Sequence, residues 1–147
     1  LTSAYTLTHL CTPALRDSGG TIVNVSSALS WMVDKNFSSY AAAKAGMNQM
    51  TKVMSYELSP GVRVNAVAPG AIETPSMEYI TSNPKRKAEA ERWIPLQRLG
   101  QPRDIALGVL YLASPASGFV SGKILEIDGG MQAIPGTAIQ EIIGKKQ

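Results

Sequence analysis

The chain has 147 residues, 44% of them hydrophobic and 17% charged, with a formal net charge of +3, which is room for one domain around an apolar core. Its sequence carries no apolar run long enough for a membrane span, no His/Cys cluster at metal-ligand spacing and no concentrated basic stripe, so neither a membrane, a metal nor a nucleic-acid partner is expected. The single cysteine, Cys11, has no partner for an internal disulfide, which fits a cytoplasmic protein, and its apolar neighbours predict a core position.

The chain opens Leu1-Thr2-Ser3, with no initiator Met and no charged region leading into an apolar one, and so reads as a chain beginning mid-protein. Residues 1 to about 16 predict a helix on which Leu1, Tyr5, Thr8, Leu10, Cys11 and Leu15 share an apolar side. Pro13 should bend it or mark its last turns, and Asp17-Ser18-Gly19-Gly20 is a stop signal. Residues 21–26 (Thr-Ile-Val-Asn-Val-Ser) predict a parallel strand covered on both faces. A loop at 27–37 follows, in which Trp31, Met32 and Phe37 either touch an apolar substrate or pack down onto the domain. Ser38 or Ser39 is a candidate N-cap for a helix over about 39–58, with small residues and an apolar stripe of Met47, Met50, Val53 and Met54.

Ser59-Pro60-Gly61 ends that helix, and residues 62–68 predict a second strand, so the two strands and the helix form a βαβ unit. Pro69-Gly70-Ala71-Ile72-Glu73-Thr74 lies beyond that strand, at the sheet edge where ligands bind in open α/β folds. Gly70 permits close backbone approach there. The backbone N–H groups and the Thr74 hydroxyl suit an amide or a phosphate. Between Pro75 and Pro95 the sequence predicts an exposed helical insertion, read as a flap over a ligand, with Lys85-Arg86-Lys87 as solvated surface. A helix over 102–112 with Pro in its first turn and a strand over 124–127 complete the pattern. Ile139, Ile142 and Ile143 suggest a short docked helix in the tail.

Tyr40 and Lys44, four residues apart, occupy one helix face. An ammonium held near a phenol favours the phenolate and suits the pair to acid–base chemistry. Ser27 lies thirteen residues earlier, at the strand's end, and can address the same substrate oxygen. These residues predict proton transfer to or from an alcohol or carbonyl.

Ser27, Tyr40 and Lys44, the Asn65 to Thr74 stretch, Arg98-Leu99-Gly100-Gln101-Pro102, and Ser121-Gly122 with Asp128-Gly129-Gly130 together resemble the short-chain dehydrogenase/reductase family. The resemblance runs to about residue 131. It implies the C-terminal part of a doubly wound, Rossmann-like parallel sheet with flanking helices, residues 1–147 being one portion of a single domain. It implies that Tyr40 is the general acid/base, that Lys44 favours the phenolate and binds nicotinamide ribose, and that Ser27 orients the substrate oxygen. Pro69, Gly70, Ile72 and Thr74, with Tyr40 and Lys44, are the implied contacts to NAD or NADP. The family's Gly-rich nucleotide fingerprint does not occur here, so the chain resembles the C-terminal three-fifths of the family's domain and by itself should not catalyse.

Within the family, residues 68–72 and 95–106 resemble bacterial 7α-hydroxysteroid dehydrogenases. The implied reaction is then alcohol–ketone interconversion on a bile acid, the small-molecule partner. A 3-oxoacyl-[acyl-carrier-protein] reductase is the alternative, and a non-catalytic chain acting only by association is an alternative of another class. The complete protein is expected to be a homodimer or homotetramer through the helices at 1–16 and 39–58.

Overall fold

β-branched and apolar runs set the architecture. The computed structural model describes residues 1–131. Strands β1 (Thr21–Val25), β2 (Arg63–Pro69) and β3 (Ile124–Ile127) form a parallel three-stranded sheet in the order β1-β2-β3. Ile22 pairs with Val64, Asn24 with Ala66 and Val67 with Leu125. Parallel neighbours require crossovers. Helix α2 (Ser38–Glu57) supplies the first. Helices α3 (Glu78–Thr81), α4 (Pro84–Arg92) and α5 (Pro102–Ala113) supply the second, and α1 (Thr2–Ser18) precedes the sheet. This is the predicted α/β class, a Rossmann-like parallel sheet with flanking helices.

Strand alternation sorts the two faces. Ile22 and Val64 pack with Met50, Met54, Leu58 and Leu15, while the Asn24 amide donates to Thr51 Oγ1 at 2.9 Å, so this face meets α2 and α1. Leu125 and Ile127 lie against Gly108 of α5 on the other face; a Cβ there would collide with Ile127 Cδ1. Covered on both sides, Val64 through Ala68 are fully buried. Each buried valine contributes roughly 1.5–3 kcal/mol. Two polar residues of β2 join later elements. Asn65 donates to the Val120 carbonyl at 2.8 Å and accepts from the Lys123 N–H at 2.9 Å. The Arg63 guanidinium donates to the carbonyls of Leu112 and Val120 and to Ser117 Oγ, so a cation caps the negative end of α5.

Several expectations are corrected. Strand β1 stops at Val25, although the Ser26 N–H still donates to the Val67 carbonyl. Helices meet it on both faces, α5 on one and α1 with α2 on the other, but it is an edge strand among the described residues and its last residue, Val25, is 50% exposed. For the same reason α1 buries only Thr8, with Leu15 on the core, while Tyr5, Leu10 and Cys11 are exposed. Cys11 is therefore no core residue. On α2, Met54 is buried but Val53 is exposed, because the sheet covers a narrower stripe than the apolar pattern. Helix α2 begins at Ser38 with Phe37 as N-cap and no side-chain cap, so neither Ser38 nor Ser39 plays that part. The expected helical insertion is made of three short helical pieces, and it is not wholly exposed, since Ile94 is buried. The expected tail helix lies outside the described residues. No helix among them is long and apolar enough to cross a membrane.

Candidate active site

The C-terminal ends of β1 and β2 open onto one cavity of about 750 Å³. Ser27, Tyr40, Lys44, Pro69, Gly70, Ile72 and Thr74 all line it. These are all of the catalytic and cofactor-binding candidates named from the sequence, gathered from the strand ends, the loops beyond them and one helix. Leu29, Phe37, Met77 and Ile105 add apolar wall, and Ser26 and Ser76 add hydroxyls. Lys44 is the charged side chain of this lining.

Helix α2 is tied to the end of β1 at successive points. Lys44 Nζ donates to the Val25 carbonyl at 2.7 Å, and Ser26 Oγ donates to the Lys44 carbonyl at 3.3 Å. The ammonium stands 5.6 Å from the centre of the Tyr40 ring, as the shared helix face requires. Tyr40 is 42% exposed and meets Phe37 edge-on at 6.0 Å. Ser27 is extended, and its hydroxyl oxygen accepts the Leu29 N–H at 3.2 Å, capping a 3₁₀ turn over Ala28–Ser30. That hydroxyl keeps its own proton to donate. Of the apolar loop residues, Phe37 faces the cavity, whereas Trp31 and Met32 are half-buried outside its lining.

The second strand's loop is held from both flanks. The Gly70 N–H donates to the Ile127 carbonyl at 3.0 Å. A Cβ on Gly70 would meet the Asp128 Cα at 2.7 Å, so glycine here serves close approach. Ile72 and Gly100 form a parallel bridge, made by the Gly100 N–H to the Ala71 carbonyl and the Glu73 N–H to the Gly100 carbonyl. In that pattern Ile72 directs its own N–H and C=O away from Gly100. The Thr74 hydroxyl lies 2.8 Å from Ser76 Oγ.

Glu73, between the two lining residues Ile72 and Thr74, escaped the sequence reading. Its carboxylate takes Lys87 Nζ of α4 at 2.9 Å and the Gln101 amide at 2.8 Å. Lys87 is therefore not solvated surface: it latches the helical excursion to the cavity loop. The Lys87 hydrogen bond, then the Gln101 one, hold the Glu73 carboxyl below its ordinary range, and Glu73 raises Lys87. Arg98, paired at 2.8 Å, lowers Asp104. Nothing local in the sequence announces these contacts. A second cavity of about 500 Å³ borders Arg98, Asp104 and Glu126, and none of Ser27, Tyr40 or Lys44 lines it.

Residues 1–132 match a family model described as enoyl-(acyl carrier protein) reductase. An uncharacterized oxidoreductase of Mycobacterium tuberculosis is 41% identical over 88% of this chain and 50% of that protein. A 3beta-hydroxysteroid dehydrogenase of Eggerthella lenta is 40% identical over 82% of this chain and 47% of its own length. A 3-oxoacyl-[acyl-carrier-protein] reductase of Thermotoga maritima is also 40% identical, over 89% of this chain and 53% of its own. Among solved structures, a 7 alpha-hydroxysteroid dehydrogenase complexed with NADH and 7-oxo glycochenodeoxycholic acid superposes at TM-score 0.82, with 36% identity over 88% of this chain and 51% of that one. A gluconate 5-dehydrogenase of Burkholderia cenocepacia in complex with NADP and tartrate gives TM-score 0.84 at 26% identity, over 92% of this chain and 54% of that one. The chain thus spans about half the length of the curated relatives it matches. With the parallel sheet and the Ser27, Tyr40 and Lys44 constellation, these matches identify the chain as a member of the short-chain dehydrogenase/reductase family.

Proposed function

We propose that the complete protein is an NAD(P)-dependent oxidoreductase that interconverts a secondary alcohol and a ketone, with this chain as the C-terminal portion of its single catalytic domain. The observation that carries the reading is the convergence of Ser27, Tyr40, Lys44 and the 69–74 loop on one cavity. The residues present fit a nicotinamide nucleoside. Ile72 turns its backbone N–H away from Gly100, and it and Thr74 border the cavity as partners for a carboxamide. Lys44 spends one N–H on Val25 and, as an ammonium with three donors, retains others for ribose hydroxyls. Pro69 and Gly70 also line the cavity and would help to hold the nucleoside. When bound, the nicotinamide supplies the hydride for reduction and takes it up in oxidation.

The protein's own groups handle position and the proton. Ser27 donates its hydroxyl proton in a hydrogen bond to the substrate oxygen and fixes its place. In reduction Tyr40 gives its phenolic proton to that oxygen as the alcohol forms. In oxidation the phenolate takes the proton back. Lys44, 5.6 Å from the ring centre, stabilises the phenolate by its charge.

The substrate is a hydroxysteroid, with the 7α-hydroxyl of a bile acid as the reacting group. Leu29, Phe37, Met77 and Ile105 offer an apolar wall to a sterol body, and hydroxysteroid dehydrogenases are among the relatives. A second reading is a 3-oxoacyl-[acyl-carrier-protein] reductase, favoured by the Thermotoga maritima relative. Turnover of the complete protein with 7-oxo and 7α-hydroxy bile acids, beside acetoacetyl thioesters, each with NADH and NADPH, tests both. Reduction of the thioester alone overturns the steroid reading, and no turnover on either class overturns both. The complete protein is further proposed to be a homodimer or homotetramer through α1 and α2. Leu7 (61% exposed) and Leu10 (69%) support this, and a monomer by light scattering would count against it.

A further inference from the structure

Asn48 follows Lys44 by one helical turn, as Lys44 follows Tyr40, so one stripe of α2 carries three polar residues toward the end of β1. Tyr40 and Lys44 border the cavity and Asn48 does not. Asn48 instead begins a short chain of hydrogen bonds. Its side-chain amide donates to Ser30 Oγ at 2.7 Å, and Ser30 Oγ donates to the Ser27 carbonyl at 2.7 Å. The first is short for an N–H···O bond, the second is of ordinary O–H···O length, and the shared hydroxyl both accepts and donates, which polarises it.

The partners on either side of Ser27 make this chain matter. The Val25 carbonyl is held by Lys44, and the Ser26 hydroxyl is held by the Lys44 carbonyl. Asn48, through Ser30, takes the Ser27 carbonyl. Every residue from 25 to 27 is thus fixed to the helix that bears Tyr40. Without the Asn48 link, the last of these three ties is lost at Ser27 itself, where the loop leaves the sheet. The Asn48 carbonyl oxygen adds a second observation: it is buried, and among the described residues it meets no donor. A buried acceptor without a partner costs stability, about 1–3 kcal/mol by the general rule. An apolar residue of similar shape avoids that cost but loses the bond to Ser30.

We propose that Asn48 is a positioning residue for catalysis: it acts through Ser30 to hold the Ser27 hydroxyl in register with Tyr40. The inference rests on the functional reading above. It concerns the alignment of groups on this chain and leaves substrate identity open.

The test compares Asn48→Leu, Ser30→Ala and the double variant in the complete protein, with Gln49→Ala as an exposed neighbouring control. Amide hydrogen exchange at Leu29, whose N–H bonds to Ser27 Oγ, reports the turn directly. Asn48→Leu should melt within a few degrees of the parent or above it, and exchange at Leu29 should quicken. Its kcat should fall about 10–100-fold, as small misplacements of reacting groups do, while KM for the nicotinamide cofactor stays within about twofold. Ser30→Ala should match it, and the double variant should be no worse than either single one, because both remove the same link. An unchanged kcat in Asn48→Leu, or losses that add in the double variant, would overturn the positioning role while leaving the functional reading intact. A parent protein without turnover on any alcohol or ketone would instead remove the reading on which the inference rests, and the inference with it.

Discussion

Lys44 and Val25 are joined by a 2.7 Å hydrogen bond from the side-chain ammonium to the strand's last carbonyl. The bond fastens α2 to β1 and places the cation 5.6 Å from the centre of the Tyr40 ring. Its geometry makes Tyr40 the group to remove first. In the complete protein Tyr40→Phe should lower turnover by about 10²–10⁴-fold, the usual contribution of a general acid or base. Cofactor affinity should stay close to the parent's, since Lys44 and the 69–74 loop are untouched. Steady-state kinetics beside a cofactor titration check this, and near-normal turnover would refute the assignment.

The Glu73 latch sets a pH window. Lys87, then Gln101, lower the Glu73 carboxyl from its ordinary 4.5, so its contribution to stability is present above that value and is lost as pH falls through the lowered one. Glu73 raises Lys87 from 10.5, so the contribution of Lys87 is present below that value and is lost as pH rises through the raised one. Glu73→Gln should therefore lower the urea midpoint near neutrality and converge with the parent in acid below the carboxyl range. An equal gap at pH 7 and at about pH 3 would show that the pair adds nothing pH-dependent.

Gly70→Ala places a methyl group 2.7–2.8 Å from Asp128 Cα and Cβ. One neighbour is backbone, so the loop or the end of β3 must shift. A loss of roughly 1–3 kcal/mol is expected, as for other overpacked sites. Because Gly70 lines the cavity, KM for the cofactor should rise as well. Thermal unfolding and kinetics measure the two effects, and a variant with the parent's melting temperature and KM would show that the contact is relaxed without cost.

The 147-residue chain by itself should not turn over. It contains Ser27, Tyr40 and Lys44, yet among the described residues β1 is an edge strand with Val25 half exposed, and the chain spans about half the length of the relatives it matches. Each charge-assisted hydrogen bond lacking to the cofactor weakens binding by about 1.5–3 kcal/mol. Calorimetric titration of this chain with NADH and NADPH, beside a turnover assay, decides the matter. Micromolar binding with measurable hydride transfer would refute the expectation.

What the sequence by itself determined is what local periodicity and strand chemistry control. The i, i+4 spacing of Tyr40 and Lys44 puts them on one face of any helix. The apolar runs at 21–26 and 62–68 read as parallel strands. The loop beyond a parallel strand lies at one sheet edge, so Ser27 and the 69–74 segment were bound to share it. Tertiary structure alone decided the rest. Glu73 meets Lys87 only because α4 folds back over the loop. Arg63 and Asn65, polar in an apolar strand, find their partners around residues 112–123 once β3 is docked. Asn48 reaches Ser27 through Ser30 across the seam of α2 and β1. Cys11 reads as core from its neighbours and is exposed, because burial depends on whether another element covers a helix face. Hydrogen bonds and burial between distant segments follow from where whole elements dock, and no short window of sequence contains that information.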